Sequence, residues 1–448
     1  MKVAKFGGSS VADAHQLRKV AEIIRQDPER KFIVVSAPGK RSTTDFKITD
    51  KLIQLANAQE NGKPTEEIVN TILQRFRGIT AELELPSVIL TEIEGTIRTV
   101  LERNETAARK MDALKSTGED SSAKILSAYL QQLGLQAAYI NPKEAGILVS
   151  NEPGNAKMLP ESYAKIHALR EKEGIMVIPG FFGYTLEGEL VTFSRGGSDI
   201  TGSIVAAGVK AALYENFTDV DSVFTVNPTI VNHPKEIKTL TYKEMRELSY
   251  AGFSVFHDEA LIPAFRAGIP VEVKNTNNPE ATGTRIVSEK KETEKCVVGI
   301  ASDTGFCSLY VSKYLMNREV GFGRKLLQIL EEEGISFEHA PSGIDDLSVI
   351  IRESKLTPEK EDNIIKKIHE LLNPETVTIN RDLAMIMVVG EGLMSTLGVA
   401  QRAATAITEA DVNIEMINQG SSEVSMMFGI ESEGLNRALN SLYRAFFA

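Results

Sequence analysis

The feature that most constrains this fold is an alternation, over the first three-fifths of the chain, between short β-branched runs and longer amphipathic segments. The strand candidates, in chain order, are 3–6, 32–36, 137–141, 175–179, 212–216 and 271–274. Continuous apolar strands separated by helices are typical of βαβ units, which build a buried and mostly parallel sheet. The sequence therefore predicts an α/β fold with a mostly parallel central sheet, in which 50–135 form a helical elaboration of the first layer.

The C-terminal part of the chain contains an internal repeat. A gapless offset of 77 residues aligns Gly321 with Gly398 and Glu332 with Glu409. Each copy reads as strand, glycine loop, helix, strand, turn and strand, and this shared order supports the repeat more strongly than the few identities do.

The two copies differ at their ends. The first continues through a helix near 358–371 into a strand at 376–379, whereas the second ends in a helix near 433–446. A further strand candidate at 297–301 precedes the first copy. We predict that it completes the sheet of the second copy, because an unpaired edge there would be unfavourable.

These patterns predict the domain boundaries. A catalytic α/β domain would span 1–286, a linker 287–296, the first repeat module 303–380, and the second module 297–302 plus 381–448. The linker is inferred from a charged run without an apolar face, for which an exposed helix end is the alternative reading.

Composition narrows the possible partners. The 448 residues carry a net charge of −11, which argues against a nucleic acid or an anionic membrane as the main partner. Neither a signal peptide nor an apolar stretch of membrane-spanning length is evident. The cysteines, Cys296 and Cys307, read as reduced thiols, so we expect a cytoplasmic protein. The scattered histidines predict no protein-bound transition metal.

A first glycine turn, Lys5 to Ser10, lies between the first strand and the first helical stretch. Glycines at such a junction let backbone N–H groups approach an anion, although a plain tight turn is the default reading. A lysine inside a buried strand normally needs a charged partner, so Lys5 favours the anion site. The spacing differs from that of the Walker phosphate loop.

A second glycine turn, Ser194 to Asp199, leads into a helical run at 200–209. Ser198 and Asp199 could simply cap that helix. Arg195 suits bidentate recognition of a carboxylate or a phosphate. Two anion-binding helix starts in one domain indicate a pair of substrates that are both anionic.

Four segments carry a resemblance that covers essentially the whole chain. Lys5 to Ser10, Gly118-Glu119, Phe193 to Asp199 and 218–221 are similar to motifs of the aspartate kinases, within the amino-acid kinase superfamily. The tail repeat resembles the paired ACT modules of that family, which are βαββαβ units that bind amino acids. The resemblance implies a three-layer sandwich followed by two ACT modules, and is nearest to the monofunctional, lysine-sensitive branch.

The resemblance also implies an activity and site residues. ATP and Mg²⁺ would be used to phosphorylate L-aspartate, the first committed step toward lysine, threonine and methionine. Lys5 would hold the transferring phosphoryl group, and Asp199 would orient Lys5 or a magnesium-bound water. The remaining roles follow by matching motif: Gly7, Gly8 and Ser9 as donors to the phosphates; Thr49, Glu119, Arg195 and Ser198 for aspartate; Thr218, Asp219 and Phe224 for the nucleotide.

Three positions depart from the family pattern near the nucleotide. Thr229 stands where the family often has arginine, Ser254 where it has a second lysine, and Phe224 where it has tyrosine. Lys274 could compensate from the neighbouring strand, or could be a lysine extending to solvent at a strand end. His257 is interpreted as structural.

In the repeats, glycine loops before helices could hold an effector carboxylate. The candidate regulatory residues are Asn317, Gly321, Ser342, Asp345, Asp346, Met394, Gly398 and Asn413. The acidic pair Asp345-Asp346 would suit a cationic effector such as lysine, acting alone or with threonine. One copy could instead serve only dimerisation, and we expect a homodimer or a dimer of dimers through the ACT modules.

Two other functions are compatible with the sequence. One is another amino-acid kinase, such as acetylglutamate or glutamate 5-kinase, against which Glu119, Arg195 to Asp199 and the paired modules argue. The other is a non-catalytic amino-acid sensor, suggested by the lost nucleotide-side cations.

Overall fold

The computed structural model describes residues 1–194, 196–253, 255–256, 259–290, 296–420 and 424–448. Two compact units are present. The first comprises 1–223, 236–246 and the described part of 254–291, and the second comprises 224–235, 247–253 and the described part of 292–448. In the proposed linker, Lys290 Nζ lies 2.5 Å from a carboxylate oxygen of Glu244, and 291–295 lie outside the described residues. The domain boundaries drawn above stay a prediction.

The first 290 residues contain twelve strands and ten α-helices within the described ranges. The strands are β1 (Lys2–Phe6), β2 (Arg30–Val35), β3 (Ala137–Tyr139), β4 (Ile175–Pro179), β5 (Phe182–Tyr184), β6 (Leu190–Thr192), β7 (Leu213–Thr218), β8 (Val223–Phe224), β9 (Glu236–Ile237), β10 (Thr239–Thr241), β11 (Val271–Asn275) and β12 (Thr284–Val287). The helices are α1 (Ala14–Gln26), α2 (Ile48–Glu60), α3 (Glu66–Glu82), α4 (Ser87–Glu102), α5 (Ala107–Gln132), α6 (Pro142–Ala145), α7 (Ser162–His167), α8 (Gly197–Val209), α9 (Tyr242–Tyr250) and α10 (Ile262–Arg266).

The first unit is built on an eight-stranded sheet with the order β10-β12-β11-β7-β1-β2-β4-β3. Its neighbouring strands are parallel except for the antiparallel pair β11 and β12. This arrangement confirms the mostly parallel sheet that the sequence predicts, and all six strand candidates are present. The four consecutive helices that follow β2, α2 to α5, form the helical elaboration.

Alternate side chains of β1 point into different layers. Ala4 and Phe6 pack in one apolar core with residues from helices α1 to α5. Lys5, between them, points to the opposite face, where it meets Asp199 of α8. The sheet is therefore covered on both faces, which confirms the three-layer α/β architecture.

The second unit contains the repeat. Its strands are β13 (Gly299–Ser312), β14 (Phe337–His339), β15 (Asp346–Arg352), β16 (Thr376–Val389), β17 (Met416–Asn418) and β18 (Ser425–Glu431). Its helices are α11 (Phe322–Glu332), α12 (Pro358–Leu372), α13 (Val399–Glu409) and α14 (Leu435–Phe447). The strands form one antiparallel sheet with the order β14-β15-β13-β16-β18-β17.

Two fourteen-residue strands, β13 and β16, join the copies. Residues 299–303 pair with 385–389 of the second copy, and 306–312 pair with 376–383, mostly from the first. The strand candidate at 297–301 thus lies where the sequence predicts it. Helices α11 and α13 begin 77 residues apart, and each copy has its own apolar core.

The described residues include no helix that is both long and apolar enough to cross a membrane.

Candidate active site

Lys5, on a central strand of the sheet, and Asp199, on α8, form a mostly buried ion pair. Lys5 Nζ lies 2.6 Å from Asp199 Oδ1, and the two side chains are 8% and 15% exposed. Asn216, which is next to Lys5 in the register of β1 and β7, donates from Nδ2 to the same carboxylate oxygen at 2.6 Å. The structure thus brings together the buried lysine and the carboxylate that the sequence singled out. Asn216 was missed, although a polar residue inside a buried strand carries the same signal as Lys5.

The first glycine turn makes a close backbone contact with the loop after β2. A Cβ on Gly39 would lie 2.7 Å from the Gly8 carbonyl carbon and 2.9 Å from the Ser9 nitrogen. The Gly39 N–H donates to the Gly8 carbonyl at 2.8 Å, and the Gly7 N–H donates to the Phe217 carbonyl at 3.0 Å. Because the Gly7 N–H is already bonded, donation to a phosphate here would fall to Gly8 and Ser9.

A short 3-10 helix separates the first glycine turn from the long helix α1. A four-residue 3-10 helix, Gly8–Val11, follows the turn, and α1 begins at Ala14 after Asp13, whose side chain accepts from the Gln16 N–H. The glycine turn therefore does not open the long helix directly, because Asp13 is the better cap.

The second glycine turn places Ser198 and Asp199 in the first turn of α8. The N-cap is Gly196 in the left-handed region at φ 74°, so the reading of Ser198 and Asp199 as a capping pair is wrong. Ser198 is 8% exposed, and a Cβ on Gly180 would lie 2.7 Å from its hydroxyl oxygen. Arg195 lies outside the described residues, as do Ser254 and His257.

Glu119 is a buried acid with an unused oxygen. It lies on α5, is 5% exposed, and hydrogen-bonds to the backbone N–H of Ala37. Burial raises the pKa of Glu119 to about 8, because the charged form loses its hydration. Its Oε2 has no hydrogen-bond partner among the described residues. A buried carboxyl with a free oxygen is suited to receive an ammonium group, which would restore its charge.

A polar network that the sequence did not reveal holds α5 to the segment before the second turn. Asp112, 1% exposed, accepts from the Thr192 N–H at 2.9 Å, the Thr192 hydroxyl at 2.7 Å and the Gly154 N–H at 2.8 Å. Lys115 Nζ lies 2.9 Å from Asp112 and 3.0 Å from the Thr192 hydroxyl. The available signal was the density of polar residues on a helix that is otherwise buried.

The other candidate residues of the first unit lie at element ends. Thr49 is half-buried in the first turn of α2, whose Ile48 N–H donates to the Pro38 carbonyl. Thr218 ends β7, and its hydroxyl donates to Asp219 Oδ1 at 3.1 Å. Phe224, in β8, is half-buried and belongs to the second unit. Their substrate roles stay predictions.

The donor set fits a nucleotide and Mg²⁺. The narrow space at Gly8 and Gly39 admits backbone that a Cβ would exclude, which is typical of phosphate-binding turns. Carboxylate oxygens of Asp199 and Asp219 are the ligands that Mg²⁺ prefers. Lys5 supplies a fixed cation beside them, so two anionic substrates could be brought together here.

The candidate regulatory residues cluster around matching loops in the two copies. Gly321 and Gly398 are left-handed N-caps, at φ 85° and 82°. Asp345 Oδ1 accepts the Leu315 N–H at 2.7 Å, and the Asn317 N–H donates to the Ile344 carbonyl at 3.1 Å.

The remaining regulatory candidates face solvent or a cavity. Ser342 and Asp346 line a cavity of about 390 Å³ between the two copies. Met394 is 60% exposed, and Asn413 donates to the Glu415 carboxylate at 2.7 Å. Residues 421–423 of the second copy lie outside the described residues.

Comparison with known proteins finds similarity along the whole chain. The model of the amino acid kinase family matches residues 1–275, and an ACT domain model matches 386–446. Aspartokinase 3 of Bacillus subtilis (strain 168) is 56% identical over 449 residues, spanning 100% of this chain and 99% of that protein.

Solved structures agree over the full length. Clostridium acetobutylicum aspartate kinase superposes with a TM-score of 0.87 at 40% identity, with 100% of each chain covered. Escherichia coli aspartokinase III superposes with TM-scores of 0.83 in complex with aspartate and ADP (R-state) and 0.80 in complex with lysine and aspartate (T-state), each at 25% identity and 100% coverage of both chains.

Proposed function

The chain belongs to the aspartokinases of the amino acid kinase family, and on that premise we propose the reaction, the residue roles and the regulation given below. It is an ATP-dependent kinase that acts on L-aspartate. The reaction transfers the γ-phosphoryl group of ATP to the β-carboxylate and gives ADP and 4-phospho-L-aspartate. The single observation that carries this proposal is the mostly buried Lys5–Asp199 pair beside the glycine turn.

The chemistry requires little more than positioning and charge neutralisation. The β-carboxylate of aspartate is ionised at pH 7, so it attacks phosphorus without a general base. The barrier lies in bringing two anions together in line. Lys5 would neutralise the transferring phosphoryl group, and Asp199 with Asn216 fixes the lysine in place. Asp199 and Asp219 would hold Mg²⁺, which would supply further neutralisation of the phosphates.

Glu119 would bind the ammonium group of aspartate. Its Oε2 is buried and unpartnered among the described residues, and no other acid of comparable burial in the first unit is left so. Thr49, Ser198 and Arg195 would complete the aspartate site, with Arg195 holding a carboxylate. Gly8 and Ser9 would donate to the phosphates, and Thr218, Asp219 and Phe224 would line the nucleotide site.

We assign regulation to the repeats, with lysine, alone or with threonine, as feedback inhibitor of a first step toward lysine, threonine and methionine. Support comes from the acidic turn at Asp345-Asp346 and from the lysine complex of the E. coli relative. The fully exposed aliphatic residues Val320 and Leu397, 96% and 98% exposed, support association of ACT modules into a dimer or a dimer of dimers. Free Cys296 and Cys307 support a cytoplasmic location.

The test is a purified full-length chain with ATP, Mg²⁺ and aspartate, in which acyl phosphate is trapped by hydroxylamine. We expect hydroxamate with aspartate and none with glutamate, and we expect added lysine to reduce the signal. Hydroxamate with glutamate alone would indicate a different amino-acid kinase, and no turnover with either substrate would indicate a sensor.

A further inference from the structure

Residues 39–47, in the loop between β2 and α2, form a cationic segment in an acidic protein. It carries Lys40, Arg41 and Lys47 against a single acid, Asp45. Asp45 is shared by two arginines: Arg41 Nε lies 2.8 Å from its carboxylate, and the guanidinium of Arg75 on α3 lies 2.7 Å away. No ion pair forms at Lys40 within the part of the chain that the structure describes, and Lys40 is exposed. Lys47 is also exposed and forms no ion pair with the described residues, so two cations of the loop, Lys40 and Lys47, are not used by the protein itself.

The loop is held in place by a buried anchor. The side chain of Arg75 is 2% exposed and also donates to the Gly39 carbonyl at 3.0 Å, and it stacks over the Phe46 ring with its guanidinium carbon 4.8 Å from the centroid. The two arginines keep the pKa of Asp45 far below its usual range by hydrogen bonding and charge. A buried arginine with all these partners fixes the loop relative to the sheet.

The anchor places Gly39, the residue before Lys40, between the two halves of the candidate active site. Gly39, its neighbour, is packed against Gly8 and Ser9 of the first glycine turn. Ala37, two residues earlier, donates its N–H to the carboxyl of Glu119. Segment 37–39 thus lies between the phosphate turn and the aspartate side. Consecutive Cα atoms are about 3.8 Å apart, so the four-carbon stem of Lys40 starts beside that junction.

We propose that Lys40 is a second phosphoryl-binding cation, which contacts the γ-phosphoryl group of ATP as it passes to aspartate. Lys5 lies on the Gly7 side of the turn, where a Cβ on Gly7 would be 3.5 Å from Lys5 Nζ, and Lys40 follows Gly39, which packs against Gly8. The two lysines would then neutralise an anion above the turn from both sides. The inference rests on the proposed kinase function.

The experiment compares Lys40→Met with Lys63→Met in the full-length protein. Lys63 is an exposed lysine in the loop between α2 and α3, so its substitution changes the net charge equally. Dissociation constants are measured by calorimetry, with Mg²⁺, for ADP and for the β,γ-imido analogue of ATP. We expect Lys40→Met to weaken the analogue about tenfold, as for one charged hydrogen bond, while ADP binding stays unchanged. Lys40→Arg should restore most of the loss.

Three results would overturn the assignment: unchanged affinity for the analogue in Lys40→Met, equal weakening of the analogue and ADP, or the same loss in Lys63→Met. Thermal unfolding of each variant checks the fold, and Lys40→Arg provides a second readout if Lys40→Met is unstable. The hydroxamate assay on the unmodified chain tests the kinase proposal separately, since wild-type turnover with an inert Lys40 would remove this inference alone.

Discussion

Glu119 of the first unit and Glu319 of the second are both acids beside lysine, yet their pKa values shift in opposite directions. Glu119 is 5% exposed, one helical turn after Lys115, and burial raises its pKa to about 8. The Glu319 side chain is 27% exposed, and its oxygens lie 2.6 Å from Lys313 Nζ and 2.9 Å from Lys325 Nζ. Hydrogen bonds from these two lysines lower the pKa of Glu319.

The difference shows that a nearby cation lowers the pKa of a carboxyl group strongly only when that cation is not already bound to other groups. Lys115 is already bound to Asp112 and Thr192, so it lowers the pKa of Glu119 only weakly against the loss of water. In the repeat, the two lysines donate directly to the acid and water remains nearby. The first unit therefore holds an acid that needs an external cation, whereas the repeat holds one whose charge is already satisfied.

The largest expected effect lies at the cation of the buried site. Replacing Lys5 by Met removes the fixed positive charge opposite the phosphoryl group, and we expect kcat to fall on the order of 10²–10³-fold. Lys325→Met in the repeat triad is the matched change and should leave kcat without effector unchanged. Steady-state assays on both variants measure this contrast. Near-normal turnover in Lys5→Met, with a fold confirmed by circular dichroism, would remove Lys5 from the mechanism.

The next effect concerns the charge of Glu119. Aspartate binding needs its ionised form, so kcat/KM for aspartate should rise about tenfold for each pH unit below a pKa of about 8 and then level off. Glu119→Gln should weaken aspartate binding and abolish this dependence while preserving ATP binding. A wild-type profile that is flat between pH 6 and pH 8 would contradict the raised pKa.

Stability provides an independent check on the same acid. Because the folded-state pKa of Glu119 is above its unfolded value, the folded chain binds the extra proton, and the resulting stability is fully present below pH 4.5. That contribution is lost as pH rises through about 8. Chemical denaturation of the wild type should therefore lose more stability between pH 6 and pH 9 than the Glu119→Gln variant does.

Much of the fold could be predicted because its strands are long apolar runs. The strand at 175–179 was predicted to the residue, and that at 271–275 to within one residue. The three-residue hairpin strands β5 and β6 were missed, since such short runs carry no periodic signal. Strand β16 reads in the sequence as a strand that stops at 379. In the structure it continues through Asp382 at φ 57°, beside a shift in its pairing with β13.

The site was predictable where a residue conflicts with its surroundings. Lys5 in an apolar strand was conspicuous, because a buried lysine needs a partner of opposite charge. In the structure that partner is Asp199. Gly39 and Arg75 were not found, because their role depends on a contact between segments that are far apart in sequence. The raised pKa of Glu119 likewise depends on packing against the segment at Ala37, which no local pattern records.

The smallest effect tests the partly exposed acid, Glu319. Its folded-state pKa is below the unfolded value, so its stability contribution is present above pH 4.5 and is lost as pH falls through the folded pKa. Glu319→Gln should therefore destabilise the chain slightly at pH 7 and not at all at strongly acidic pH, and this destabilisation should shrink in high salt.

Glu375→Gln, at an exposed acid of the same unit, is the control for a simple change in net charge. Denaturant midpoints at both pH values measure the effect. If Glu319→Gln instead stabilised the chain at pH 7, the charge of Glu319 would be limited by desolvation, as that of Glu119 is. The contrast between the two units would then have to be explained by something other than water access.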